Sequence, residues 1–380
     1  MSEIKVNSIK GVGASTAAIT VNNTDGTCTA NITNNLSNRN IVINGAAQVN
    51  QRGSQTGKTS STYFVDRFRC AMGNAGTWNL TRSSESPNGF ARSMKLDCTT
   101  AKSSLDADSY MIFQQKIEGY NVQAFAKGTS AAKQFAVSFY LKSNVSGTYT
   151  AEVQDNDNNR IISKTFTVSD GNWNRYSLIF PADTTGAFGD DNGHSMSLNI
   201  WLMGGSNYTS GTLNTSSWAT KANANRVSSS NVNVASSTSN ELYFTGVQIE
   251  VGDTVTDFEH RSFAQELALC QRYYETSHSY GTAFGTNTSE GKFLQNGSTN
   301  GAGNQQSTIY FRTTKRANPT VTGHYDGTTG SWYGARSGAS GTTSVSFDLI
   351  GMNSFRAYNS IGANYVASEH IGHWQAVSEL

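Results

Sequence analysis

Four aromatic residues lie in sequence that belongs at a surface rather than in a core. Tyr208 and Trp218 fall in residues 204–240, a stretch rich in Ser, Thr, Asn and Gly, and Trp332 and Tyr333 fall in T-G-S-W-Y-G-A-R-S-G. Pyranose faces are weakly apolar and stack on indole and phenol rings, while neighbouring Asn, Asp and Arg bond the hydroxyls. The four are therefore the candidate ligand-binding residues, and the chemistry they offer is non-covalent saccharide recognition. Packing as a loop anchor is the competing role, and for Trp218 the stronger one. Trp332 and Tyr333, adjacent on a strand, cannot both face a core. Trp173 and Trp201 lie in alternating runs and read as core.

Groups that could do covalent or metal chemistry are sparse. Glu369, His370 and His373 form E-H-x-x-H, which on a helix would ligate a metal. On a strand, positions 370 and 373 point to opposite faces, so surface or interface histidines are expected. Asp155–Asn159 has D-x-D-x-N spacing, but Arg160 stands where a calcium loop needs Gly, and the twelfth-position Glu is missing. A solvated hairpin turn is the better reading. Asp183, Asp190 and Asp191 sit in turn-like sequence and do not form the carboxylate pair of a glycosidase. No G-x-S-x-G elbow, phosphate loop or long β-helix repeat is present. No catalytic residue, metal ligand or cofactor is expected, and the chain reads as a non-enzyme.

Composition points to the elements that must position the aromatics. The 380 residues carry 36 Gly and only 3 Pro, with 18 Phe and 16 Tyr, so turns rest on Gly, Asn and Asp between many short strands. A net charge of +1 with 14% charged residues argues against nucleic acid or an acidic membrane as partner. No apolar run approaches a membrane span, and the N-terminus lacks a signal-peptide pattern. Cys28, Cys70, Cys98 and Cys270 are far apart, lack metal spacing, and are expected as free thiols.

The chain divides into four segments. Residues 1–43 hold short apolar pairs too brief to bury a core alone. Residues 44–261 hold alternating runs at sandwich intervals: Ser109–Ile117, Phe135–Leu141, a hairpin of Thr148–Val153 and Ile161–Val168, Trp173–Phe180, Ser195–Met203 and Leu242–Val251. A buried acid–arginine pair of Asp66 with Arg67 or Arg69 is expected at a strand start. In Leu242–Val251, Gly246 breaks the spacing of two, which predicts a bulge or a close backbone approach. Residues 262–277 form a helical linker, with Ser262 and Gln265 as a capping box and Phe263, Leu267, Cys270 and Tyr274 on one stripe. Residues 278–380 read as six to eight short strands. The fold expected is all-β: N-terminal strands, an antiparallel jelly roll closed by one short helix, and a second small β-sandwich.

Gly246–Gly252 (GVQIEVG), Phe258–Ser262 (FEHRS) and Glu266–Tyr274 (ELALCQRYY), with N-G-A-x-Q-V-x-Q-R-G from Asn44, FAVSFYLKS and NWNRYSLIFPAD, carry a resemblance over roughly residues 41–275. Together they resemble a carbohydrate-binding-like jelly-roll module of tail fibres and related virion proteins of tailed bacteriophages, marine phages included. The C-terminal module is similar to one that follows the helix in such fibres, but over a shorter match. The resemblance implies a homotrimeric tail fibre that binds host-surface polysaccharide without cleaving it. Residues 1–43 would attach it to other tail or head proteins, and residues 278–380 would form the tip. The implied location is the virion, after assembly in the host cytoplasm. A head-decoration or tail-knob spacer with no receptor contact uses the same modules. A glycan depolymerase is the third alternative.

Overall fold

The computed structural model describes residues 6–13, 18–22, 24, 26, 28–30, 38–299, 304–336, 339–360 and 368–380. The body is a two-sheet antiparallel sandwich. One sheet runs Asn174–Phe180, Phe135–Ser143, Glu241–Val251, Ser93–Thr100, Thr77–Ser83, Gln55–Lys58. The other runs Ala219–Thr220, Arg160–Val168, Gly147–Asp155, His194–Gly204, Tyr110–Glu118, Phe68–Gly73, Thr62–Val65. The Phe- and Val-rich alternation places one face of each sheet inward. Phe113 and Phe244, from opposite sheets, stack at 4.1 Å between centroids, and Phe68 stacks on Phe113 at 5.0 Å. The expected strands are all present within a residue or two. All four cysteines are free, and Cys70, Cys98 and Cys270 are buried.

Gly246 marks a bulge. It adopts φ 61°, and the pairing with Phe135–Ser143 slips between Ser138 and Tyr140, which shifts the inward series from Leu242 and Phe244 to Val247 and Ile249. A Cβ there would lie 2.7 Å from Phe90 Cζ. The outward face of this strand is covered too, because residues 253–261 fold back over it. Glu259 accepts from the Asn40 amide at 2.7 Å, Asn40 Oδ1 accepts from the Ile249 amide at 3.1 Å, and Arg261 donates to Asn40 and Val42 carbonyls. Asn40, Val42 and Ile43 are thus buried against the sandwich, although the sequence reading gave them to the N-terminal segment.

The capped helix Phe263–Gln271 forms as expected, with Ser262 Oγ accepting from the Gln265 amide. Its stripe packs within the chain: Cys270 and Leu267 meet Ile43, Val49 and Tyr273, while Phe263 stays exposed and edge-on to Tyr280. Residues 262–277 are less separate than a linker. Tyr274–Thr276 is a strand paired with Ser368–Val377. That ten-residue strand also pairs with Phe293–Thr299, Thr320–Tyr325 and Ser331–Arg336, and a ten-stranded sheet is built around it. The described N-terminal strands Ser8–Ile9, Ile19–Val21 and Cys28–Ala30 pair with one another and leave Val6 and Ile9 about half exposed.

The two β modules meet across a buried ionic seam. The Asp66–Arg67 turn is buried, but the two side chains do not pair with each other or with Arg69, contrary to expectation. Asp66 accepts from the Gln51 amide at 2.6 Å and from Gln51 Nε2 at 2.8 Å; burial pushes its carboxyl up. Arg67 instead pairs with Glu379, which Arg52 also holds at 2.6 Å. Arg67 lies 3.5 Å over the Tyr273 ring, and Arg52 lies 3.9 Å over Tyr274. Glu379→Gln removes the carboxylate from a guanidinium that is 1% exposed. Loss of one partner from a buried pair costs about 3–5 kcal/mol. Urea unfolding of the variant is expected to show a loss in that range; a loss below about 1 kcal/mol would mean the seam is not held by charge.

Candidate functional site

Of the four aromatics expected at a binding surface, two are enclosed. Trp218 is 8% exposed; its Nε1 donates to the Pro181 carbonyl at 3.0 Å, and its ring faces Phe135. Trp332 is fully buried, with Nε1 donating to the His373 carbonyl at 2.9 Å. Neither indole offers a face to a ligand. Tyr208 is half-buried, edge-on to Tyr110 at 5.8 Å and tilted on Trp201 at 5.2 Å, so it anchors its loop. Trp201 is buried, but on the outer face of its sheet beneath that loop and not in the main core. Tyr333 points away from Trp332, as alternation requires, and stacks on Tyr325 at 5.3 Å. The four are not brought together.

Trp218 walls a buried cation site made entirely from the chain. Lys127 Nζ donates to the carbonyls of Thr185 at 2.8 Å and Gly186 at 2.7 Å, and lies 2.6 Å from Asp155 and 3.1 Å from Asp183. The ammonium is 5.4 Å from the Trp218 ring centre and 5.3 Å from that of Phe188. Asp155, the first acid of the calcium-like spacing, is therefore committed to an ammonium and to Asn158. Arg160 holds Asp183 through two bonds, and with Lys127 it keeps that carboxyl below its usual range despite burial.

The histidines are placed differently from expectation. His370 and His373 are both fully buried. His370 meets Ser307 Oγ at 2.8 Å, while His373 stacks face to face on His278 at 3.7 Å, with His324 completing the group. The rings lie near-parallel, and the Nε2 atoms of His278 and His324 meet at 2.8 Å in a hydrogen bond between the two imidazoles. Among the described residues no group of three His, Cys, Asp or Glu side chains is arranged to hold a metal ion. Burial, reinforced by neighbouring imidazoles, pushes His278 and His324 down to about 4, and burial alone does the same to His370.

An open groove of about 500 Å³ lies in the same module. Among the described residues, the hairpin of Phe293–Thr299 and Asn304–Tyr310 pairs at Ser298↔Gln306 and Thr299↔Gln305, and its strands part toward the base. Phe293 and Lys292 line one wall, Thr308, Tyr310 and Arg312 the other, and Trp374 the floor. Tyr310 is 74% exposed, an unusual surplus for a ring beside a cleft. Glu275 is the one carboxylate among the lining residues; it is fully buried and paired with Lys315. The arrangement offers an aromatic platform, hydroxyls and cations, the groups that non-covalent recognition uses. Sequence reasoning missed it, although S-T-I-Y-F-R carried the signal. Ser307 and Ile309 are buried while Thr308 and Tyr310 are exposed, so alternation had already separated the groove wall from the core.

No family model and no curated protein matches the chain. Among solved structures, it is similar to a protein described as "CBM4 structure and function", at 11% identity over 48% of this chain and 77% of that one, with a TM-score of 0.25. It is also similar to the CBM22-1 xylan-binding domain of Paenibacillus barcinonensis Xyn10C, at 8% identity over 57% and 96%, TM-score 0.28. A third is the family 11 carbohydrate-binding module of Clostridium thermocellum, at 11% over 55% and 99%, TM-score 0.27. TM-scores this low assign neither ligand nor site. The jelly-roll architecture rests on the strand order above.

The histidine cluster carries a pH prediction. The unfolded chain protonates these imidazoles below about pH 6.5, whereas the folded chain resists until about pH 4. The unfolded state then binds more protons, so stability falls as pH drops through that window and is flat just above it. Thermal melts from pH 7.5 to 4 are expected to show Tm falling below pH 6.5, and a His278→Phe, His324→Phe double variant should flatten the decline. An unchanged slope would show that other groups set it.

Proposed function

We propose that this protein is a non-enzymatic virion appendage of a tailed phage, a homotrimeric fibre that binds host-surface glycan through its C-terminal module. One observation carries the binding half of this reading: the exposed Tyr310 ring beside a groove with Thr308, Lys292 and Arg312 on its walls. Aromatic rings stack on sugar faces, and the flanking donors reach hydroxyls. The sequence blocks in the jelly roll that resemble phage fibre modules support the particle half. The apolar exposure of Ile9 on a three-stranded sheet, and of Val6 just before its first strand, supports assembly with further copies. Threefold assembly multiplies weak sites by avidity.

Tyr310→Ala tests the binding half. Adsorption to host cells, or retention on a glycan array, is expected to drop at least tenfold with Tm unchanged, because the ring is exposed. Retained binding would place the site elsewhere. Failure of the native protein to adsorb at all would favour a head-decoration or knob spacer. Sedimentation tests the assembly: a mass near three times 40.9 kDa is expected, and a stable monomer would overturn the fibre reading.

A further inference from the structure

The charges around the groove do not cancel. Glu275 is fully buried, accepts from Lys315 Nζ, which is equally buried, and accepts from the Arg312 amide at 3.1 Å. Lys315 also donates to the Gln271 carbonyl at 2.6 Å and the Thr313 carbonyl at 3.1 Å, which fixes it against Glu275. The Arg312 guanidinium therefore shares an acid already balanced by a nearer cation. Its Nη1 reaches the Thr276 carbonyl at 3.3 Å, while Glu275 stands 4.0 Å away. The Arg312 side chain is 59% exposed, so the rest of its donor fork is open to the groove. Across the cleft, Lys292 is held by Asp326 at 2.8 Å. Asp326 does not line the groove, and neither does Glu290, an exposed residue next to Gly291 at the rim. Taken together, the buried Glu275–Lys315 pair is neutral and Arg312 adds a positive charge at the wall that carries the Tyr310 platform.

We infer that the groove selects an anionic saccharide, a sugar ring stacked on Tyr310 with its carboxylate or sulfate received by Arg312. The inference rests on the glycan-binding reading and deepens it. A guanidinium fork matches a planar carboxylate through two parallel bonds, and such charge-assisted bonds are about twice as strong as neutral ones. A neutral sugar would offer that fork only hydroxyl oxygens and forgo the charge-assisted pair.

The test uses the full-length protein on an array of neutral oligosaccharides and of oligosaccharides bearing uronate, sialate or sulfate. The native protein is expected to prefer acidic glycans by about tenfold or more, with binding that weakens between 50 and 500 mM NaCl, concentrations chosen to shorten the screening length from about 14 to about 4 Å. Arg312→Gln, at a side chain more than half exposed, should erase the preference by lowering acidic-glycan binding about tenfold more than neutral binding; Arg312→Lys should retain part of it. Tyr310→Ala should lower both classes. Equal binding of neutral and acidic glycans, or a preference that survives Arg312→Gln, overturns the inference and leaves the glycan-binding reading standing. Absence of binding to every glycan overturns the reading itself.

Discussion

One buried carboxylate joins the helix, the C-terminal sheet and the jelly roll. Glu379 accepts from Arg67 and Arg52, and each arginine lies over a tyrosine ring of the same dipeptide, Tyr273 and Tyr274. Two guanidiniums taken out of water need counter-charge and hydrogen bonds together. Arg67 finds one further acceptor in the Lys116 carbonyl, 2.5 Å away. The dipeptide directly follows the helix, and Glu379 follows the long strand around which the C-terminal sheet is assembled. The seam therefore fixes helix, sheet and jelly roll in one arrangement. Arg316, bonded to the main-chain oxygens of Asn192, Ser378 and Glu379, extends the same contact. The polar character of this interface favours geometry over raw stability, since an apolar seam would tolerate sliding that charge pairs do not.

The sequence made most of the sandwich legible because its signals are local. Alternation located the strands, Gly246 announced a bulge that its positive φ confirms, and Ser262 with Gln265 announced the helix start. The motif Phe258–Ser262 now has a physical role, for Glu259 and Arg261 tie Asn40 and Val42 to the closing strand. What failed were the readings that required partners distant in sequence. Asp66 and Arg67 were rightly seen as buried, but their partners are Gln51 and Glu379, the second 312 residues away. Periodicity has no access to such a pairing.

Two of the aromatic candidates, Trp218 and Trp332, are enclosed for a related reason. Polar surroundings in sequence do not imply water in space: Trp218 sits among Ser, Thr and Lys, yet it covers the Lys127 ammonium and the end of the core. Trp332 sits among glycines, and those at 323 and 372 leave the room its indole occupies, since a Cβ at either would fall within 2.6 Å of it. Glycine near an aromatic can thus indicate a socket as readily as a loop. The groove was legible in principle through the exposed positions of S-T-I-Y-F-R, but the parting of its hairpin was not, because that depends on how the long strand Ser368–Val377 engages its neighbours.

Lys127 has a consequence for how the protein is made. Its ammonium sits among two carboxylates and two carbonyls, a set of oxygens that would otherwise suit a dissolved cation. A dissolved ion binds by mass action, so the stability it lends varies with its concentration. A cation carried on the backbone is present at one equivalent from the moment of synthesis. The loop holding Asp183 can close against the strand end at Asp155 in any ionic medium, inside a cell or outside it, on a partner that cannot diffuse away.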